Sequence, residues 1–236
     1  MTATTTSALL GDVVSATPSA ARVLQKHGLD FCCGGRQSLG DACRTTGVDV
    51  DVVLEDLAAL DTGPEPRWAS MDPAELVDFI EATHHEYLHA ELGLLDALLD
   101  KVVGVHGERH PELAELQVVY KELYADLDPH LAKEEQVLFP MIRELAASET
   151  APSFHCGSLA NPISSMMADH DRAGDLLARM REITGDFSVP DDACASYTSL
   201  YQRLDELEAD THMHVHKENN LLFPAVIEME NRMVGA

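Results

Sequence analysis

The sequence predicts an all-α protein: an antiparallel four-helix bundle, internally duplicated, preceded by a small helical unit that carries adjacent cysteines. Three observations predict it. No stretch alternates β-branched and polar residues as a strand does. Four long segments repeat apolar residues at helical spacing and are joined by short or medium loops. One phrase is also written twice. His130-Leu131-Ala132-Lys133-Glu134 runs on to Leu138-Phe139-Pro140, and His214-Val215-His216-Lys217-Glu218 runs on to Leu222-Phe223-Pro224, 84 positions later.

From the N-terminus, Pro18 to His27 reads as a helix closed by Gly28 at a C-cap position. Asp30-Phe31-Cys32-Cys33-Gly34-Gly35 is a turn, a helix from about Ser38 stops at Gly47, and another spans Val50 to Leu60. Glycine and two prolines in Asp61-Thr62-Gly63-Pro64-Glu65-Pro66 break the chain. The expected division is a small domain over 1–62, a linker over 63–71 and a bundle over 72–236. Asp72-Pro73 opens the first long helix, with proline at the favoured first position, and it runs to about Val103. Pro111 opens the second, to about Ala147, with Pro129 as a kink. A Ser-, Ala- and Pro-rich loop leads to the third, Ile163 to Ile183. Gly185 to Pro190 is a turn, and the fourth helix runs from Asp191 to Met229.

Composition excludes several classes of partner. A formal net charge of -25 repels nucleic acid and anionic lipid surfaces. No apolar run approaches the ~18 residues needed to span a bilayer. The first residues, Met1-Thr2-Ala3-Thr4-Thr5-Thr6, lack the charged and apolar regions of a signal peptide, so the expected location is cytoplasmic. Five scattered cysteines (Cys32, Cys33, Cys43, Cys156, Cys194) suit neither a disulfide framework nor a four-thiolate metal site.

A His and a Glu four residues apart lie one turn apart, ~6 Å along one helix face. His130 and Glu134 share a stripe with Leu116, Leu123, Leu127, Leu138, Met141 and Leu145. His214 and Glu218 share one with Leu200, Leu204, Leu207, Leu222 and Ala225. Both pairs therefore point at the core, where a carboxylate costs several kcal/mol unless a cation or a hydrogen-bonding partner compensates. The duplication extends further: a histidine near 85 precedes His130, and His170 precedes His214, by 45 and 44 residues. Four His and two Glu are too many for one tetrahedral zinc. They suit two six-coordinate irons bridged by both carboxylates and an oxygen atom, with two His per iron.

Thr83-His84-His85 offers two candidates for the first ligand. His84 lies nearer the centre of the apolar arc of Ile80, Tyr87, Leu88, Leu95 and Leu98, whereas the repeat favours His85 as the mate of His170. His89, His106, His110, His155, His212 and His216 lack a partner at ligand spacing and read as surface or supporting groups, His106 being the best of them for an accessory role. Cys32-Cys33, beside Gly34-Gly35, is either a pair of buried thiols or a redox or metal-handling pair, and the turn favours the second.

These motifs resemble the Repair of Iron Centres family of di-iron proteins. Gly28-Leu29-Asp30-Phe31-Cys32-Cys33-Gly34-Gly35 is similar to its short cysteine-bearing domain. Lys133-Glu134-Glu135-Gln136-Val137-Leu138-Phe139-Pro140, Pro162-Ile163-Ser164 with Asp169-His170-Asp171, and Glu218-Asn219-Asn220 with Leu222-Phe223-Pro224 are similar to its hemerythrin-like domain. The resemblance implies metal ligands at His85, His130, Glu134, His170, His214 and Glu218, the glutamates as bridges, and the paired cysteines at Cys32 and Cys33. It implies repair of iron–sulfur clusters damaged by nitric oxide or peroxide, with damaged iron–sulfur proteins as partners, through release of iron from a labile oxo- and carboxylate-bridged centre. Two other functions stay open: a nitric oxide reductase forming nitrous oxide, and a binder that senses or stores O2 or NO. A homodimer is compatible with all three.

Overall fold

The computed structural model describes residues 4–60 and 66–234. Most of the expected break, residues 61–65, and Met1 to Ala3 lie outside the described residues. The described chain is helical, as expected, with two isolated β-bridges and no strand. The short helices are α1 (Leu10–Ala16), α2 (Ala20–Lys26), α3 (Leu39–Thr46) and α4 (Val50–Ala58). The long segments are α5 (Pro73–Ile80) continuing into α6 (Glu86–His106), α7 (Glu112–Lys133) into α8 (Phe139–Ala147), α9 (Ala160–Ile183), and α10 (Ala195–Lys217) into α11 (Phe223–Val234). Helix α1 was not expected as a separate element. Ser38 caps α3 through its side chain, and Gly28 and Gly47 take φ of +66° and +75°, values that favour glycine. No helix among the described residues is long and apolar enough to cross a membrane.

Three of the long segments share a feature that helical periodicity does not reveal. Glu81–His85, Glu134–Leu138 and Glu218–Leu222 are π-helical turns. In each, an amide reaches back five residues: Glu86 to the carbonyl of Glu81, Phe139 to Glu134 and Phe223 to Glu218. The wide turn restarts the hydrogen-bond ladder, so Pro140 and Pro224 become second residues of α8 and α11. A first-turn residue needs no amide donor, and proline is tolerated there. The extra residue also rotates the downstream helix: Val226 is buried while the expected Ala225 is only half-buried. Pro140→Ala is therefore expected to change stability by less than about 1 kcal/mol in urea titration, against ~3 kcal/mol for a proline inside an unbroken helix. Helix α7 itself continues through Pro129.

By its contacts the chain forms two compact units. One comprises Ile80–Met141 and Ser153–Thr211. Here α6, α7, α9 and the first part of α10 pack as a four-helix bundle, with α7 touching both α6 and α9. Its core is Leu88, Leu92, Leu95 and Leu99 from α6, Leu116, Tyr120, Leu123 and Leu127 from α7, Leu177 and Met180 from α9, and Leu200, Leu204 and Leu207 from α10. Their i, i+3 and i+4 spacing makes one apolar stripe per helix, each leucine contributing about 1.5–3 kcal/mol on burial. The Tyr120 hydroxyl donates to the Leu92 carbonyl at 2.7 Å, which keeps that polar group satisfied inside.

The other unit comprises Met1–Phe79, Ile142–Pro152 and His212–Ala236. Leu10, Val14, Leu24, Phe31, Leu39 and Val53 form its core together with Val215 of α10. The Phe31 ring meets His212 and His216 edge-on, at 6.0 and 5.8 Å between centroids. The N-terminal helices and the segment bearing the second His-x-x-x-Glu thus share one apolar cluster.

Candidate metal centre

In the bundle unit, Glu134 opens the widened turn after α7 and is wholly buried. His130, one turn earlier, places Nε2 3.4 Å from Glu134 Oε2. His85, at the end of the widened turn before α6, places Nε2 3.4 Å from the same oxygen. His170, midway along α9, lies 4.0 Å from Glu134 Oε1 and brings its Nε2 within 3.1 Å of His130 Nε2. All three rings are buried, and His85 stacks on Phe139 at 5.3 Å.

The outer nitrogens decide what the inner ones can do. His85 Nδ1 donates to Glu135 Oε1 at 3.0 Å, and the same oxygen meets His89 Nε2 at 2.7 Å. His130 Nδ1 faces Asp169 Oδ2 at 3.4 Å, an oxygen that also accepts from Lys133 Nζ at 3.0 Å. Burial pushes both carboxyls up, but their partners outweigh it: His89 and His85 hold Glu135 below its usual range, and Lys133 and His130 do so for Asp169. A neutral imidazole has a single N–H. With that proton on Nδ1, His85 and His130 turn lone pairs toward a buried carboxylate. This is the donor set of a metal site, with acids behind the rings to fix the tautomer. Nitrogen and oxygen donors without thiolate suit iron, manganese or zinc.

The other unit holds the second pair. His214 Nε2 is 3.2 Å from Glu218 Oε1, and both residues are buried. Glu218 opens a widened turn, as Glu134 does. The next residues reach the cysteine turn. Asn220 Nδ2 donates to the carbonyls of Phe31 at 3.3 Å and Cys32 at 2.9 Å, and Asn219 Nδ2 lies 3.9 Å from Cys33 Sγ. Within that turn, Asp30 accepts from the amides of Cys32, Cys33 and Gly34. Asp30, Cys32 and Cys33 each bring a ligand atom within 4.8 Å of the others. The Cys32–Cys33 contact and burial raise the Cys32 pKa, keeping it a thiol.

The other histidines take separate places. His84 is buried and pairs through Nδ1 with Asp210 at 2.8 Å, whereas His85 faces Glu134. His106, expected as an accessory, stands 21 residues along from His85, about 30 Å up a helix, against Cys194 and Tyr197. It does not serve this centre. His216 is fully buried rather than at the surface, bridging Ser15 Oγ and Asn220, each at 3.2 Å. Burial, reinforced by the Lys217 charge, pushes its pKa down to about 4, so the ring is neutral. Glu135 and Asp169 went unassigned from sequence, although each directly neighbours a ligand-type residue and such adjacency is the signal that marks a supporting acid.

Comparison with known proteins agrees with this chemistry. Residues 76–226 match the family described as Hemerythrin HHE cation binding domain, and residues 6–61 match Domain of Unknown function (DUF542). The iron-sulfur cluster repair protein ScdA of Staphylococcus haemolyticus is 32% identical over 93% of this chain and 97% of that protein. The iron-sulfur cluster repair proteins YtfE of Escherichia coli O81 and of Yersinia pseudotuberculosis are each 34% identical, over 94% of this chain and 97% of their own length. These matches settle the family: the chain belongs to the hemerythrin HHE cation-binding family, with the iron-sulfur cluster repair proteins ScdA and YtfE among its relatives.

Proposed function

We propose that this protein repairs iron–sulfur clusters damaged by nitrosative or oxidative stress by donating iron from a labile, carboxylate-bridged di-iron centre. The observation that carries the reading is Glu134, wholly buried, with the Nε2 atoms of His85 and His130 both 3.4 Å from it. On the repeat, His214 and Glu218 answer to His130 and Glu134, so the second half contributes the same ligand types. On this reading His85, His130, Glu134, His170, His214 and Glu218 would hold two irons, with Glu134 and Glu218 as the shared carboxylates. A mixed imidazole and carboxylate set accommodates ferric and ferrous iron, and ferrous iron leaves such ligands readily. The residues' own task is to hold the cargo: Glu135 and Asp169 keep the imidazole lone pairs inward. Asp30, Cys32 and Cys33 form a receiving group for iron or electrons, which a plain O2 or NO binder would not need. Damaged iron–sulfur proteins are the partners, and the cytoplasm, where thiols stay reduced, is the setting.

The test uses iron-loaded protein and a cluster enzyme inactivated by nitric oxide, following recovery of activity and movement of labelled iron. Recovery and iron transfer are expected together, and both fall to background with Glu134→Leu or Glu218→Leu. Recovery that persists unchanged in those variants sinks the donor reading.

A further inference from the structure

Far from the candidate centre, the start of α10 meets the end of α6. Cys194 immediately precedes the first residue of α10 and is exposed. His106, the last residue of α6, is 3% exposed and lies with Nε2 3.2 Å from the Cys194 sulfur. The Arg109 guanidinium, which can only donate, meets His106 Nδ1 at 3.2 Å. Nδ1 therefore accepts, and the neutral ring carries its proton on Nε2, aimed at the sulfur. Lys101 of α6 is held nearby by its bond to Ser196 Oγ at 3.0 Å. Asp192, two residues before Cys194, is engaged by His110 at 2.9 Å and Arg109 at 3.6 Å, and Glu112 takes the other side of His110 at 2.9 Å.

We propose that Cys194 and His106 form a reactive thiol site at which Cys194 is oxidised by peroxide to a sulfenic acid. First-turn amides of α10, a ring N–H and neighbouring cations all favour thiolate over thiol, and an exposed sulfur in such surroundings is where nucleophilic cysteines occur. The amide of Tyr197, then that of Ser196, and the Lys101 charge hold this thiol below its ordinary range, opposite in direction to buried Cys32 and Cys43. In the reaction the thiolate attacks one peroxide oxygen. The S–O bond forms as O–O breaks, sulfur is oxidised and peroxide reduced, and the departing oxygen leaves as hydroxide and becomes water with the proton that the thiol released to solvent. This site is independent of the metal reading.

The experiment alkylates the full chain with iodoacetamide across the neutral and alkaline range, following the Cys194 peptide by mass spectrometry beside free N-acetylcysteine. The midpoint for Cys194 is expected clearly below that of N-acetylcysteine measured in the same samples. With hydrogen peroxide, dimedone is expected to trap Cys194 several-fold faster than Cys156. His106→Phe, which keeps a ring against Tyr197 but has no N–H, is expected to move the midpoint back up. If that variant does not fold, the wild-type profile and the dimedone ratio decide alone. A midpoint equal to that of N-acetylcysteine, trapping no faster than at Cys156, or an unmoved midpoint in folded His106→Phe overturns the proposal.

Discussion

Glu134→Leu and Glu218→Leu are each expected to empty the candidate centre and yet to give a chain that, without metal, is more stable than the metal-free wild type. Both carboxylates are wholly buried, each with an imidazole of the preceding helical turn at 3.2–3.4 Å. Burying a charge costs several kcal/mol, and on the proposed function a bound cation would compensate it. Leucine fills similar volume with no charge to desolvate, and replacing buried ionic groups by apolar ones stabilises by about 1–4 kcal/mol in other proteins. The order of stability should therefore be loaded wild type, then chelated variant, then chelated wild type. At ~2–4 °C per kcal/mol for a chain of this size, thermal melts with and without chelator resolve the order. Metal analysis should show the variants at less than half the wild-type content. A chelated variant that melts below chelated wild type, or one that keeps its metal, contradicts the argument.

Much of this was legible because two periodic signals agree. Helical spacing gave the long helices to within a few residues, and the duplicated His-x-x-x-Glu set which residues face inward. Where the structure departs, the cause is a feature without period. The π turns at Glu81, Glu134 and Glu218 each insert one residue, and periodicity reads straight through an insertion. That is why Ala225 was expected on a stripe that belongs to Val226. The Leu-Phe-Pro repeats carried the signal, since a proline inside a helical pattern demands a local break in the ladder. His84 and His85 could not be separated by an apolar arc because both are buried, one facing Asp210 and the other Glu134. The contacts of His106 and His216 join residues 88 and 201 positions apart, which no local pattern encodes.

Gly35→Ala is expected to cost about 2–4 kcal/mol, far more than a surface glycine, and Asn220→Ala should relieve part of it. A Cβ on Gly35 would lie 2.3 Å from Asn220 Oδ1, 2.7 Å from its Cγ and 2.7 Å from the Phe31 carbonyl. Asn220 cannot yield cheaply. It donates to the carbonyls of Phe31 and Cys32, it meets His216, and Gly11 flanks it at 3.0 Å from an added Cβ. Forced overpacking costs about 1–3 kcal/mol, and each lost buried hydrogen bond adds about 1. Gly28, where no atom lies near an added Cβ, is the control: there alanine pays only for its positive φ, about 1–2 kcal/mol. Asn220→Ala alone should cost about 1–3 kcal/mol. Because the two residues touch, the double variant should be more stable than the sum predicts by about 1–2 kcal/mol, a coupling that denaturant titration of all four proteins measures. The coupling has a functional side. Asn220 stands two residues after Glu218 and holds the carbonyl of Cys32, so Gly35→Ala should leave metal content intact while lowering recovery of a damaged cluster enzyme. Strict additivity would show that the glycine serves chain flexibility alone, and the close approach of the cysteine turn to Asn220 would then have no energetic weight.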